Sequence, residues 1–474
     1  MEQSKSSPGR TGTTGSEEVA SNLNTNTPIS SLAPELLSLI FQLAFDSTDD
    51  ETVPVNLSRV SQTWRDVATS NPLLWNRFTI SLPLNVEATA LKLKRSKETL
   101  LDLYIIVPYL SAKVFNMSGL SFPTFNEYRD LSRELSRSYH RCRRLRIEGS
   151  FKDAPNLLQL VIAPLLEMSM PYLEEFTFNG ESNGQDEAHF RTDQIFTDAP
   201  RLRKVCLGGH GLLHFRPPTF HITTLHLVGT GDYYPYSLFA SLLQSIPCLV
   251  FLAIYDDLLD SDRRSTDFLF SECPVPKLES LFVTGGMFAV SELLLFLSAP
   301  NLRELVIAPA VSSDLDVLHA WNQSKSPRFP NLQSLTICPD DPSSFLIFEP
   351  ASECFPGIKR LVIPNMAYER QFEEYFGASN PPLFPDLREL AVTDVSDTFL
   401  STMDRVLSSR GGNSPWITTL YMDTTSILHI DPMARKWEPY GSNILVKRNL
   451  WSEQCQRMVN TVKRTGLFED TDSE

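Results

Sequence analysis

An apolar residue at the third, sixth and eighth positions of a short phrase, usually opened by proline, recurs along most of the chain. It is clear in Pro171-Tyr172-Leu173-Glu174-Glu175-Phe176-Thr177-Phe178 and in Pro200-Arg201-Leu202-Arg203-Lys204-Val205-Cys206-Leu207. It is looser at Ile222, Leu225 and Leu227, and returns after Pro247, Pro276, Pro300, Pro330, Pro356, Pro385 and Pro415. With Phe220 as the start of the loose copy, successive copies begin 20 to 30 residues apart. Weaker copies precede them at 100–105 and at Leu145-Arg146-Ile147. The last three positions of each phrase alternate apolar, variable, apolar, the period of a strand with one buried face. Between phrases, 237–246, 290–298, 368–376 and 398–409 read as helices.

One short strand and one helix per unit is the period of stacked repeats, and the phrase L-x-x-L-x-L/I resembles the leucine-rich-repeat family over roughly residues 95–425. The resemblance implies a parallel sheet on the concave side of a solenoid. Where that family places an asparagine three residues after the last apolar position, this chain has Ala310, Asp340 and Met366 in three well-formed copies, so the repeats are irregular. Because strand side chains alternate, the residues between and just before the apolar pair are expected on the open sheet face. That set is Glu175, Thr177, Lys204, His226, Phe251, Phe282, Glu304, Val306, Arg360, Val362, Glu389 and Tyr421. Its mixed charge suits a protein partner better than nucleic acid. Phe251 and Phe282, one repeat apart, are expected to sit together as an exposed aromatic pair, the alternative being that a loop covers them.

Residues 28–80 follow a different period. Pro34 suits a first helical turn, with Ser30 or Ser31 available as a cap. On a 3.6-residue wheel Leu36, Leu37, Leu39, Ile40, Phe41, Leu43 and Ala44 cover an arc of about 200°, wider than the ~100° one packing face requires. A second helix, 57–69, carries one stripe, Leu57, Val60, Trp64 and Val67/Ala68. About 50 residues bury too little surface to stand alone, so the surplus apolar face needs the repeats or another chain.

These residues also carry a family resemblance. Leu32-Ala33-Pro34-Glu35-Leu36-Leu37-Ser38-Leu39-Ile40-Phe41, then Leu57-Ser58-Arg59-Val60-Ser61-Gln62-Thr63-Trp64-Arg65-Asp66-Val67-Ala68 and Leu73-Leu74-Trp75, is similar to an F-box. It departs at Ala33, where the family often has proline, at Ser61, where cysteine is frequent, and by the insertion 46–55. The resemblance implies that Leu32, Pro34, Leu36, Leu37, Ile40 and Phe41, supported by Val60 and Trp64, dock onto the Skp-type adaptor of a cullin-RING ubiquitin ligase. With degenerate repeats behind it, the whole is similar to a group of fungal F-box proteins. The repeats would then hold a client protein, with Phe251, Phe282, Arg360 and Tyr421 as contacts. A helical cap for the repeats, with no adaptor, is the alternative for this block.

Composition narrows the picture further. The chain of 474 residues has 42 Lys and Arg against 57 Asp and Glu, net −15, so a nucleic-acid footprint is missing at the whole-chain level. No apolar run approaches the ~20 residues of a membrane span, and no secretory signal is present, so an intracellular location, cytoplasmic or nuclear, is expected. Seven cysteines without a CxxC pair fit neither a disulfide framework nor a zinc ribbon, and read mostly as buried thiols. Residues 1–27 are a polar arm expected to be disordered, and 431–474 a cap with an acidic tail. The expected division is therefore arm 1–27, helical block 28–80, repeats 81–430 and C-terminal cap.

Chemistry-bearing motifs are few. Gly180-Glu181-Ser182-Asn183-Gly184 matches GxSxG, but the polar stretch after it does not suit a nucleophile turn. His210, His214, His221 and His226 lack metal-site spacing. Arg133, Arg137, Arg141 and Arg144 recur at helical spacing, as a solvated basic face or a dock for an acidic or phosphorylated segment. The expected protein is thus α/β, a short helical F-box followed by an irregular leucine-rich-repeat-like solenoid. It is expected to be a non-enzymatic, substrate-recruiting ligase subunit, with no catalytic residue, metal or cofactor, and with neither nucleic acid nor membrane as partner. The rivals are a ligase-independent repeat scaffold and a hydrolase using Ser182.

Overall fold

The structure is a computed structural model of the chain. It describes residues 29, 32–81, 85–107, 125–150, 162–181, 193–209, 211–212, 215–229, 234–255, 258–259, 272–284, 290–324, 327–339, 345–364, 369–378, 383–392, 399–409, 417–422 and 443–446. The arm 1–27, Ser182, His210, His214 and most of the C-terminal segment lie outside the described residues. The chain divides into two compact units, Met1–Leu145 and Arg146–Glu474.

In the first unit α1 spans Pro34–Asp46, α2 Val53–Leu57 and α3 Gln62–Ser70. Pro34 opens α1 and the N-cap is Ala33, whose side chain accepts nothing; Ser30 and Ser31, the expected caps, lie outside the described residues. The expected second helix is broken into two. Ser61 turns extended and its hydroxyl accepts from the Trp64 amide at 3.2 Å, which starts a new helix instead of continuing the old one. Leu37, Phe41 and Phe45 of α1 are buried with Val67, Ala68, Leu74 and Trp75, and Trp64 meets Phe41 at a centroid distance of 4.8 Å. Trp75 donates its indole N–H to the Ala68 carbonyl at 2.8 Å. The Arg77 guanidinium lies over the Phe45 ring and donates to the Phe45 carbonyl at 2.7 Å, satisfying the end of α1. β1 (Arg77–Ser81) and β2 (Leu101–Val107) pair in parallel across α4 (Val86–Arg95), and α5 (Phe125–Ser138) leads into β3 (Cys142–Ser150), a strand that straddles the boundary between the units.

The second unit holds β4 (Glu175–Glu181), β5 (Lys204–Gly209), β6 (Thr224–Val228), β7 (Phe251–Tyr255), β8 (Ser280–Thr284), β9 (Glu304–Ala310) and β10 (Ser334–Pro339). β11 (Arg360–Ile363), β12 (Glu389–Val392), β13 (Thr419–Met422) and β14 (Asn443–Val446) follow. Each pairs in parallel with the next in chain order, the sequential parallel sheet of a leucine-rich-repeat-like α/β fold. The expected helices are present as α6 (Tyr236–Gln244), α7 (Val290–Phe296), α10 (Glu369–Ala378) and α11 (Phe399–Ser409), with α8 (Ser312–Ser324) and α9 (Phe348–Cys354) between them. Aromatic contacts help tie neighbouring helices together: Phe372 stacks on Phe376 of its own helix α10 at 4.5 Å and meets Phe399 of α11 at 6.0 Å in a tilted contact.

The phrase has a physical cause. All three of its apolar positions are buried in every copy from Leu173 to Met422, none more than 3% exposed. The N–H of the first, at the third position, closes a turn on the carbonyl three residues back, as in Leu202 to Ala199 and Leu278 to Val275, both 3.1 Å. Proline at the second turn position presets φ for that turn. The residue after the first apolar position offers a carbonyl that accepts two amides of the next repeat. Arg203 accepts from Thr223 and Thr224, Val250 from Glu279 and Ser280, and Lys359 from Arg388 and Glu389. This paired acceptance sets the register repeat by repeat, and with it the rows of side chains that run across the strands.

Candidate docking surfaces

The outward side of α1 is the larger unfilled apolar surface of the first unit. Leu36, Leu39, Ile40 and Leu43 are 51%, 53%, 43% and 61% exposed, at i, i+3, i+4 and i+7, while Leu37 and Phe41 face the opposite way into the core. The wide apolar arc thus resolves into two stripes. Of the residues expected at the adaptor contact, Leu36, Ile40, Val60 and Pro34 are exposed, and Leu32 and Trp64 are half-buried against the core cluster. Leu37 and Phe41 are corrected to core, because they pack on Val67, Ala68 and Trp75 and are closed to a partner. Leu39 and Leu43 belong with the outward stripe and were not singled out as contacts, although their spacing marks it.

The sheet of the second unit differs from expectation on its open face. Register aligns Cys206, His226, Ala253, Phe282, Val306, Thr336, Val362, Ala391 and Tyr421 in one row across β5 to β13. From His226 onward this row is buried. Phe251 and Phe282 are buried, not an exposed pair, and their assignment as client contacts is corrected. Strands ~4.8 Å apart bring same-face side chains into contact. Here Phe251 lies 5.5 Å from the His226 ring, and Tyr255, between His226 and Phe282, stacks on the first at 6.2 Å and meets the second at 5.6 Å. Parallel sheets are commonly buried on both faces. Tyr421 is also buried, with the half-buried Arg360 guanidinium 5.3 Å from its ring centre. Apart from Phe251, what stays partly open is the row two residues earlier, which includes Glu175, Lys204, Ser280, Glu304, Arg360 and Glu389.

The remaining candidates resolve into structural roles. His226 Nδ1 is 3.3 Å from the Tyr255 hydroxyl, and burial, aided by Lys204, pushes the imidazole down to about 3, so it stays neutral. His221 is exposed, and among the described residues no cluster of three metal-ligating side chains exists. Burial pushes the Cys142, Cys206 and Cys354 thiols up to about 12, which makes them poor nucleophiles. The arginine series does not form one face. Arg133 and Arg137 pair with Asp130 and Glu134 on α5. The chain then leaves the helix, and Arg141 turns inward to donate to the Leu93 and Thr99 carbonyls at 3.0 Å each. Arg143 forks onto the buried Asp102 at 3.0 and 2.6 Å, with Arg144 at 3.6 Å. Among the described residues no helix is long and apolar enough to cross a membrane.

No protein-family model matches this chain, and no curated protein matches it. Among solved structures it is similar to the crystal structure of a Bacteroides fragilis structural-genomics target at 14% identity, covering 76% of this chain and 78% of that one, with a TM-score of 0.29. A likeness of that size carries no argument about function.

Proposed function

We propose that the chain is a non-catalytic recruiting subunit: α1 docks onto a Skp-type adaptor of a cullin-RING ubiquitin ligase, and the repeats hold a client protein. The observation that carries this reading is the outward stripe Leu36, Leu39, Ile40 and Leu43, bordered in sequence by the F-box-like pattern through Leu73-Leu74-Trp75. An amphipathic helix that already buries one face in its own core and leaves a second at i, i+3, i+4, i+7 presents the anchors of helix-in-groove recognition. Burying the half of each of the four side chains that is still open would gain roughly 1 kcal/mol each before the costs of association are met. Such a subunit contributes effective concentration and orientation, not covalent chemistry. Contacts with a client fall to the partly open charged row at the strand starts and to the exposed turns before it, since the apolar row is consumed by the fold.

The reading is tested by titrating the full chain with a purified Skp-type adaptor in a calorimeter. Saturable one-to-one binding supports it. Absence of binding at adaptor concentrations far above the micromolar range removes the ligase connection and leaves a ligase-independent scaffold.

A further inference from the structure

The turns that open the repeats form an edge of their own, and one of them breaks the pattern. The second turn position holds proline in Pro171, Pro200, Pro247 and Pro276, but Phe220 in the copy between. The Phe220 turn is nonetheless closed, with the Ile222 amide 3.2 Å from the Thr219 carbonyl. The ring is 74% exposed, more than any other large hydrophobic side chain among the described residues. It therefore adds nothing to the core and forgoes the φ restraint that proline supplies next door.

Two arginines stand beside it in fixed positions. Arg201, from the preceding turn, lies with its guanidinium 5.3 Å from the ring centre of Tyr172, itself exposed. Arg203 donates to the Pro200 carbonyl and to the carbonyl of His221, the residue after Phe220, each at 3.3 Å. Neither pairs with a described carboxylate, whereas the next cation along, Lys204, is 4.0 Å from Glu175. Tyr172, Arg201, Arg203 and Phe220 thus make one contiguous exposed patch over three successive repeats.

We propose that this patch is a docking site for a segment of a partner protein that carries carboxylates flanking one large apolar side chain. The carboxylates meet the two guanidinium forks and the apolar side chain covers Phe220. Held guanidinium groups match carboxylates bidentately, and aromatic and arginine side chains together are the usual anchors of protein interfaces. Nucleic acid is a poorer fit. Its backbone needs an extended basic track, and here only two arginines stand together beside an exposed apolar ring that a phosphate chain would leave in water. The inference concerns the repeat unit and stands whether or not α1 binds an adaptor.

The test uses the full chain and a short fluorescein-labelled peptide of alternating Glu and Leu, with all-Glu and Lys/Leu peptides and an oligothymidylate as comparisons. Anisotropy should report binding of the Glu/Leu peptide, weaker binding of the all-Glu peptide, and none of the other two. Phe220→Pro installs the residue used by neighbouring turns, so the melting temperature should hold while affinity falls by about tenfold or more. Arg201→Gln with Arg203→Gln should lose as much and abolish the salt dependence, and Val317→Ser, exposed on α8 outside the patch, should leave peptide affinity unchanged. The proposal is overturned if the Glu/Leu peptide does not bind, if Phe220→Pro binds it as wild type does, or if the oligothymidylate binds more tightly. It is also overturned if Phe220→Pro alters sedimentation without peptide, since the occupant would then be a second copy of the chain.

Discussion

α1 and the repeat strands each carry apolar residues on two faces, but they use the second face differently. In the strands, Phe251, Phe282, Val306 and Val362 sit on the face opposite the phrase residues and are buried there. In α1, Leu37 and Phe41 are buried, and Leu36, Leu39, Ile40 and Leu43 on the other side remain in water. An apolar side chain opposite a core face is therefore not in itself a binding residue. A sheet supplies neighbours at strand spacing that cover such residues, while a lone helix has none unless a partner brings them.

The sharpest way to break the comparison is at the strands. Phe251→Ser with Phe282→Ser should cost more than about 4 kcal/mol in denaturant unfolding, because each substitution opens a large cavity and leaves a hydroxyl in it. The two belong to one buried cluster, so the double variant should fall short of the sum of the singles. A pair that melts like wild type would restore these residues to the surface. Next in size, Leu37→Ala and Phe41→Ala should each destabilise the first unit by about 2–5 kcal/mol, in contrast with their outward neighbours.

Gly208 of β5, paired between β4 and β6, provides a smaller effect. A Cβ at Gly208 would collide with the Asn179 side chain and lie 3.1 Å from Val228 Cβ, so Gly208→Ala should lower stability by about 1–3 kcal/mol without touching either proposed docking surface. His226 gives the smallest. Its folded value near 3 lies below the ordinary 6.5, so between these the unfolded chain binds the extra proton and stability falls as pH falls. At pH 5.5 the loss from this group should be on the order of 1 kcal/mol. Measured from pH 7 to 4, the unfolding free energy of His226→Leu should have a slope shallower by up to one proton, and equal slopes would place the imidazole in water.

Much of this was legible in advance, for physical reasons. The repeat strands and four of the helices follow from side-chain period alone, because the turn, the paired carbonyl and the buried triplet recur together. The two stripes of α1 were present in its 200° arc, but which stripe lies inside depends on Trp64, Val67 and Trp75 arriving from later in the chain. Burial of Phe251 and Phe282 was not legible. Alternation assigns a side chain to a face and says nothing of whether that face is covered. The break at Ser58–Ser61 was concealed because the stripe Leu57, Val60, Trp64 fits one helix as well as two, and only the Ser61 cap decides between them. Arg141 and Arg144 kept helical spacing in the sequence after the helix itself had ended.

The central claim is that the outward stripe of α1 is a docking face and not part of the fold. Leu36→Asp with Ile40→Asp places charge where the side chains already meet water, so thermal unfolding should move little. At a desolvated contact the same charges would be unpaired and cost several kcal/mol. The account predicts an unchanged melting curve together with loss of calorimetric binding to the Skp-type adaptor. Wild-type affinity in the double variant would contradict it.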